Sequence, residues 1–162
     1  MSRRDQITLT DEEVIAYLRE QKTVICATNG VRGVPHLMPL WYVLRNTGPA
    51  GTPQIWAWTF AKSQKAKNLE RDPRATLEVE DGVEYHLLRG VMMECDVAIH
   101  RDVEVVEALG LEIFGRYAGT DEGEVAPEVR EMVAKQAPKR IAMQFVERRR
   151  ASWDHRKLGG VY

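Results

Sequence analysis

Strand-like segments follow one another through the middle of this chain, and the connections between them are short. The segment Gln54 to Phe60 alternates its side chains between two faces, which is typical of a β-strand. The pair Asn29-Gly30 separates two further strand-like runs, as in a β-hairpin. Parallel strands need crossovers of a dozen or more residues, so these short connections predict an antiparallel sheet.

The sequence predicts about six strands and four helices. We expect the strands at about residues 23–28, 35–45, 54–60, 74–80, 87–100 and 140–149. We expect the helices at about residues 11–20, 63–71, 102–117 and 127–135, followed at the end of the chain by a polar tail over residues 151–162. A mainly β (α+β) fold, a small antiparallel barrel with flanking helices, fits this order best. At 162 residues, the chain is expected to form one domain, residues 1–162.

Composition and residue spacing exclude several classes of function. Because 23 Lys and Arg residues balance 24 Asp and Glu residues, extensive binding of nucleic acid is disfavoured. No apolar run approaches the roughly 20 residues that span a membrane. Cys26 and Cys95 lie in apolar segments, which predicts reduced core thiols in a cytoplasmic protein. The histidines lack the spacing of metal ligands, so we expect no metal site, and no phosphate-loop or nucleophile motif occurs.

The segment from Thr59 to Asn68 could bind an anion. A strand ends there, and Ser63 can cap the helix that follows. The first turn of a helix has unpaired N–H groups and a partial positive charge, and Lys62, Lys65 and Lys67 add to it. A phosphate or carboxylate site is therefore plausible, and the alternative is an ordinary basic helix surface.

Two other segments are candidates for a site. Pro39 interrupts an apolar strand that contains His36 and Tyr42, which predicts a sheet edge or a bulge. Backbone groups released there could contact a planar heterocycle, and the alternative is a plain edge strand. The second segment, residues 152–158, combines a tryptophan, an acid and three potential cations. We expect it to dock on its own barrel or to reach a neighbouring subunit.

Charge is unevenly distributed along the chain. Residues 102–131 carry nine acids and two bases, whereas residues 139–157 carry seven bases and two acids. These are either two solvated surfaces, or the basic stretch faces an anion from a ligand or from a partner subunit.

Together these segments resemble the flavin- and deazaflavin-binding split-barrel proteins related to pyridoxamine 5′-phosphate oxidase. The segments that carry the resemblance are the hairpin 29–33, the strand 35–43, Leu88-Arg89-Gly90-Val91, and the run Lys62-Ser63-Gln64-Lys65-Ala66-Lys67-Asn68-Leu69-Glu70-Arg71-Asp72-Pro73-Arg74. The ending Ser152-Trp153-Asp154-His155-Arg156-Lys157-Leu158 is similar to that of an actinobacterial branch that includes users of coenzyme F420, a deazaflavin.

The resemblance implies a six-stranded split barrel and a homodimer with two cofactor sites at the interface. The residues that would lie along the tricyclic ring are Met38, Pro39, Leu40 and Trp41. The residues that would hold the phosphate-bearing tail are Thr59, Lys62, Ser63, Gln64, Lys65 and Asn68. Trp153 and Arg156, in the tail 151–162, would approach the site, often across the interface.

The resemblance favours coenzyme F420 over flavin mononucleotide (FMN). Classical FMN members tend to carry Ser-Arg-Lys where this chain has Ser63-Gln64-Lys65, and the missing arginine would have been a bidentate phosphate partner. The implied activity is hydride transfer between the deazaflavin and an unsaturated or conjugated small organic molecule. The cofactor carries the chemistry, so no catalytic side chain is required. Tyr42 and His155 are candidate proton donors.

Three alternatives remain open at this point. The same fold could bind FMN and act as an oxidase or reductase. It could be a non-catalytic cofactor-binding protein. It could also be an interaction module, in which the acidic helices and the basic tail only mediate dimerisation.

Overall fold

The computed structural model, which describes residues 2–118 and 124–160, contains five α-helices, four short 3₁₀ helices and seven strands in its described part. The helices are α1 (Arg3–Ile7), α2 (Asp11–Glu20), α3 (Gln64–Arg71), α4 (Val103–Ala118) and α5 (Pro127–Gln136). The strands are β1 (Thr23–Asn29), β2 (Pro35–Trp41), β3 (Val43–Arg45), β4 (Gln54–Phe60), β5 (Arg74–Asp81), β6 (Arg89–His100) and β7 (Arg140–Asp154). Neighbouring strands are antiparallel in the order β2-β1-β5-β6-β7-β4-β3, which confirms the predicted α+β fold.

The predicted strand at residues 35–45 is two strands, so the sheet has seven strands rather than six. β2 pairs with β1 at one edge of the sheet, and β3 pairs with β4 at the other edge. Only Tyr42 separates β2 from β3, so the two edges must lie close together and the sheet must curl into a half-barrel. Tyr42 is fully buried, and its hydroxyl donates to the carbonyls of Leu18 and Gln21 at 2.6 and 3.1 Å.

Arg116, near the end of α4, holds this junction against the end of α2. Its guanidinium donates to the carbonyls of Leu18, Arg19 and Gln21 and to the carbonyl of Tyr42. It also lies over the Tyr42 ring, at 4.4 Å from the centroid. The last carbonyls of a helix have no partner within the helix, so one arginine here satisfies the C-terminus of α2 and fixes the β2–β3 corner.

The alternation in β4 separates two apolar clusters. Ile55 and Ala57 face the interior of the half-barrel, which α2 closes at one end with Val14, Tyr17 and Leu18. Trp56 and Trp58 face outward and are covered by α4 and α5, through Leu109, Ile113 and Val133 among others. β4 is therefore buried on both sides, which explains why it carries large apolar residues on both faces.

The two cysteines are buried free thiols in the barrel interior, as predicted. Burial raises the pKa of Cys26 and of Cys95 to about 12, so both stay protonated at neutral pH. They are inert core residues.

Further differences from the predicted elements lie at the chain ends. β7 continues to Asp154, five residues beyond the predicted end of that strand, because the long β6 offers a partner up to Arg89. The short helix α1 was not predicted, and Ser2 caps it in a capping box with Asp5. Residues 161–162 of the predicted tail, and residues 119–123 of the acidic segment, lie outside the described residues. Within the part that is described, no helix is long and apolar enough to cross a membrane.

Candidate functional site

Lys65 is a buried cation at the start of α3. The residue is 4% exposed, and its ammonium donates to Oγ1 of Thr59 at 3.3 Å. None of the described carboxylates lies within 4 Å of this ammonium, although an ammonium can donate three hydrogen bonds. Burial lowers the pKa of Lys65. A buried charge is normally paired, so this arrangement fits an anionic ligand.

The polar groups around Lys65 are held in place by the first turns of α3. Ser63 caps the helix by accepting the N–H of Ala66 at 3.2 Å, and its hydroxyl lies 3.3 Å from that of Thr59. Asn68 is fully buried and donates to the hydroxyl of Thr28 at 3.1 Å. The segment predicted to bind an anion therefore places Thr59, Ser63, Lys65 and Asn68 together.

Gln64 and Lys62 differ in their surroundings. The Gln64 amide donates to Oδ1 of Asn68 at 2.9 Å, so it orients that side chain. Lys62 is exposed, and no described carboxylate pairs with it. Gln64 therefore occupies the position where FMN proteins tend to have an arginine, and its side chain orients Asn68 on the same helix.

β2 is an edge strand that exposes apolar side chains. Leu37, Met38 and Trp41 are 57%, 44% and 48% exposed. Pro39 lies in this edge strand, as its missing N–H predicted. In the register, Met38 lies opposite Cys26 and Leu40 opposite Val24, so Met38 and Leu40 share the inward side with these core residues. Pro39 and Trp41 occupy the other side, and Trp41 stacks on Tyr117 at 4.2 Å.

His36 was not among the predicted site residues. It lies opposite Thr28 on the same side of β2 as Met38. Its Nδ1 is buried and has no hydrogen-bond partner among the described residues. The alternation along β2 could have identified it, since every second residue from Leu40 back to His36 shares one side.

The chain end forms a second, rigid group of candidate residues. Arg156 donates twice to the carboxylate of Asp154, at 2.8 and 2.6 Å, and Asp154 is 5% exposed. This guanidinium holds the pKa of Asp154 below its usual range. The backbone N–H of His155 donates to the carbonyl of Leu88, and its Nδ1 donates to the carbonyl of Tyr85 at 2.8 Å. Residues 152–156 therefore dock on the barrel of their own chain.

Trp153 lies against a glycine. It pairs with Gly90 on β6, and a Cβ at Gly90 would lie 2.8 Å from Cε2 of the indole. We expect Gly90→Ala to displace Trp153 and to destabilise the protein by about 1–3 kcal/mol, measured by urea unfolding. Combining Gly90→Ala with Trp153→Ala removes the contact with the indole and leaves the contact with the Val79 carbonyl oxygen, 2.9 Å from the new Cβ, so the glycine substitution should then cost less. Equal costs with and without the indole would contradict this packing.

The two groups of candidate residues lie at opposite ends of β7. Phe60, next to the α3 segment, pairs with Arg140 at the start of the strand, whereas Arg89 pairs with Asp154 at its end. At about 3.3 Å per residue, Arg140 and Trp153 are roughly 40 Å apart along the strand. One chain does not bring Lys65 and Arg156 together, so they share a site only if a second chain supplies one of them.

We call the outer side of β2, β1, β5 and β6 the open face. Helix α4 covers one corner of it, where Trp41 packs against Phe114 and Tyr117. Pro39, Ile25, Glu78 and Met92 lie side by side in one row across it. A groove of about 370 Å³ crosses this face, and its lining includes Ala27, Arg74, Thr76 and Arg148. Trp153 lies on the same face, since its partner Gly90 is two residues from Met92. The open face therefore extends from β2 to the chain end.

Tyr42 is held away from both groups. Its side chain is in the core, and burial raises its pKa to about 12. With its hydroxyl bound to carbonyls of α2, it serves as a corner residue of the barrel.

A curled antiparallel sheet with helices across its outer side and at its ends defines a split-barrel protein. A sequence profile described as "Pyridoxamine 5'-phosphate oxidase" matches residues 10–151. The chain belongs to this family. No curated protein sequence matches the chain.

Solved structures give the same fold. A conserved hypothetical protein from Mycobacterium tuberculosis is 37% identical, with a TM-score of 0.83, over 100% of this chain and 95% of that one. An F420 reductase is 17% identical, with a TM-score of 0.61, over 84% of this chain and 94% of that one. The heme storage protein HutZ of Vibrio cholerae is 15% identical, with a TM-score of 0.63, over 88% and 92%. At 17% and 15% identity, the F420 reductase and HutZ show only that the fold is shared.

Proposed function

We propose that this protein binds the deazaflavin coenzyme F420 and transfers hydride between it and an unsaturated or conjugated small organic molecule. The observation that carries the proposal is the buried Lys65 ammonium, which has a hydroxyl neighbour and no described carboxylate within 4 Å. A phosphate group would supply the missing negative charge. The proposal is also supported by the family to which the chain belongs.

The residues around Lys65 suit the phosphate-bearing part of the cofactor. Ser63 and Thr59 present hydroxyls beside the ammonium, and Asn68 is oriented by Gln64. Lys62, at the exposed side of this site, adds a positive charge. Hydroxyls and an ammonium at a helix N-terminus match the oxygen atoms of a phosphodiester.

The exposed apolar strand β2 would frame the ring. Met38 and Leu40 would contact it from the inward side, with Pro39 and Trp41 on the strand's other side. The deazaflavin supplies the hydride chemistry when bound, and the protein contributes position and electrostatics. His155 remains the side-chain candidate for delivering a proton, because the Tyr42 hydroxyl is held in the core.

The complete site requires a homodimer, which we propose to form through the open face. This face carries both β2 and Trp153, so two copies that meet on it would bring the chain end of one subunit to β2 of the other. The neighbouring strand β1 is joined to α3 by the hydrogen bond between Thr28 and Asn68. Trp153 and Arg156, with the tail 151–162, would then close the pocket and meet the acceptor. The 37% identical mycobacterial protein supports placement in the actinobacterial branch, and the free core thiols suit a cytoplasmic protein.

Subunit complementation tests this shared site. Lys65→Met and Arg156→Ala should each abolish tight cofactor binding as homodimers. A heterodimer of the two variants, isolated through different tags, places both substitutions in one site and leaves the other intact. We expect it to bind about half of the wild-type amount of cofactor. A heterodimer that binds none, or an Arg156→Ala homodimer that binds normally, would contradict the arrangement.

FMN-dependent oxidation or reduction is the second candidate function, favoured by the family profile. FMN binding would require the phosphate to be held without an arginine at position 64. Gln64 stands there, and its side-chain amide donates to Asn68. Separate titrations with coenzyme F420 and with FMN distinguish the two functions. A protein that binds a cofactor but shows no turnover with any acceptor would be a carrier.

A further inference from the structure

The chain end is tied to the segment around the start of α2. The backbone N–H of Leu9 donates to the hydroxyl of Ser152 at 3.0 Å. The ammonium of Lys157 donates to the carbonyl of Thr8 at 2.9 Å and to Oε2 of Glu13 at 2.6 Å. These contacts of Thr8, Leu9 and Glu13, which we call the latch, therefore hold the chain end at two points.

The carboxylate of the latch is held in place by its own helix. Thr10 and Glu13 form a capping box, in which the Thr10 hydroxyl accepts the N–H of Glu13 at 3.2 Å. The Oε2 atom that meets Lys157 also accepts the N–H of Thr10 at 2.7 Å. Lys157 and this N–H hold the pKa of the Glu13 carboxyl below its usual range. Lys157 therefore pairs with a charged group whose orientation is already fixed, so that less side-chain entropy is lost.

The two contacts of the latch fall next to Trp153 and Arg156. Ser152, which accepts from the latch, precedes Trp153, and the alternation along β7 places it on the other side of the strand. Lys157 directly follows Arg156. The latch thus fixes the backbone before Trp153 and after Arg156, and it uses neither of these two side chains.

Arg156 lies between two tied residues of a single 3₁₀ turn, residues 155–158. His155, the first residue of the turn, is bound to the connection between β5 and β6 through its N–H and its ring. Lys157, the third residue, is bound to the latch. Short 3₁₀ turns have poor hydrogen-bond geometry, so the position of Arg156 depends on these ties and on its pair with Asp154.

We propose that Lys157 is a positioning residue, which through Thr8 and Glu13 holds Trp153 and Arg156 in the orientation that closes the cofactor pocket of a second subunit. The inference rests on the proposed function, in which the chain end completes that pocket. A chain end that is ordered before the subunits meet lowers the entropic cost of closing the pocket. Loss of the Lys157 contacts should therefore let the bound cofactor leave faster.

The test measures dissociation of coenzyme F420 from the full-length protein by stopped-flow fluorescence. Lys157→Gln should release the cofactor about fivefold faster, as expected for a partly exposed charge pair whose loss acts on dissociation. The amount of cofactor bound per chain at saturation should stay that of the wild-type protein. Lys157→Arg, which can still donate to a carbonyl and a carboxylate, should restore the wild-type rate to within about twofold.

Glu13→Gln tests the other side of the pair. Glutamine keeps the capping box but loses the charge, so dissociation should be about threefold faster. Added to Lys157→Gln, it should have no further effect, because both residues act through one contact. Glu12→Gln is the matched control: Glu12 is exposed on the same turn, and no described cation lies within 4 Å of its carboxylate. Its rate should change less than about 1.5-fold.

A second measurement follows Trp153 without any ligand. In protein labelled with 5-fluorotryptophan, the Trp153 resonance is the one that Trp153→Phe removes from the fluorine NMR spectrum. This resonance should shift or broaden in Lys157→Gln and return in Lys157→Arg. The resonances of Trp56 and Trp58, which α4 and α5 cover, should stay unchanged and thereby show that the variant is folded.

Three results in Lys157→Gln would overturn the positioning role while wild-type binding stays intact. They are an unchanged dissociation rate, an unchanged Trp153 resonance, and a reduced amount of bound cofactor at an unchanged rate, which would show partial unfolding instead. If the wild-type protein binds no coenzyme F420, the proposed function itself is contradicted, and the positioning role falls with it.

Discussion

Replacing Lys65 with methionine is expected to weaken cofactor binding about 100-fold while the protein stays folded. A hydrogen bond to a charged group contributes about 1.5–3 kcal/mol, and 2.7 kcal/mol corresponds to a factor of about 100. The side chain is buried, so methionine can occupy a similar volume without leaving a cavity. Titration of the variant with the cofactor, followed by fluorescence anisotropy, measures the loss.

The same variant should change the pH dependence of stability. Burial lowers the pKa of Lys65 in the folded state, so the unfolded chain binds more protons between that pKa and the ordinary lysine value. Stability of the wild-type protein therefore rises with pH across this window. Lys65→Met removes the penalty, so its advantage in urea unfolding should be largest at low pH and should disappear above the ordinary lysine pKa.

Lys67 provides the matched control, since it lies two residues further along α3 and is exposed. Lys67→Met removes the same charge from the same helix, and we expect cofactor affinity to change less than threefold at an exposed position. If Lys67→Met and Lys65→Met lose equal affinity, the buried ammonium is not the anion-binding group.

Replacing Arg116 with alanine is expected to cost about 3 kcal/mol of unfolding free energy, without any direct effect on the cofactor site. The substitution leaves the carbonyls of Leu18, Gln21 and Tyr42 without the donor that joins α2, α4 and the β2–β3 corner. For a chain of this size, that corresponds to a fall in Tm of roughly 6–12 °C, measured by thermal unfolding.

Two variants define the control for this prediction. Arg19→Ala removes an exposed arginine at the end of α2 and should change the Tm by less than about 2 °C. Arg116→Lys retains the charge but cannot reach four carbonyls at once, so its cost should lie between those of Arg19→Ala and Arg116→Ala. If Arg116→Ala leaves the Tm unchanged, the β2–β3 corner is held by Tyr42 without Arg116.

The sequence was sufficient to predict the order of strands and most of the helices, because alternation and capping act over a few residues. It could not place the break at Tyr42, since apolar and aromatic residues run without interruption from Leu37 to Leu44 and the break arises where the curled sheet passes from one edge to the other. The role of Arg116 could not be predicted from the sequence either. It depends on α4 packing beside the end of α2, nearly 100 residues earlier in the chain.

The candidate site was predictable where it is contiguous. Thr59, Ser63, Lys65 and Asn68 fall within ten residues, and helix geometry brings them together. The separation of Lys65 from Arg156 was not predictable, because it depends on the length of β7, which continues five residues beyond its predicted end.

The most direct test of the account is a titration of the purified protein with oxidised coenzyme F420 and, separately, with FMN, followed by cofactor fluorescence and anisotropy. We expect saturable binding of the deazaflavin at one per chain, with FMN bound at least about tenfold more weakly because position 64 offers no second cation for its phosphate. Tighter binding of FMN would contradict the assignment of the cofactor, and binding of neither would contradict the cofactor site at Lys65.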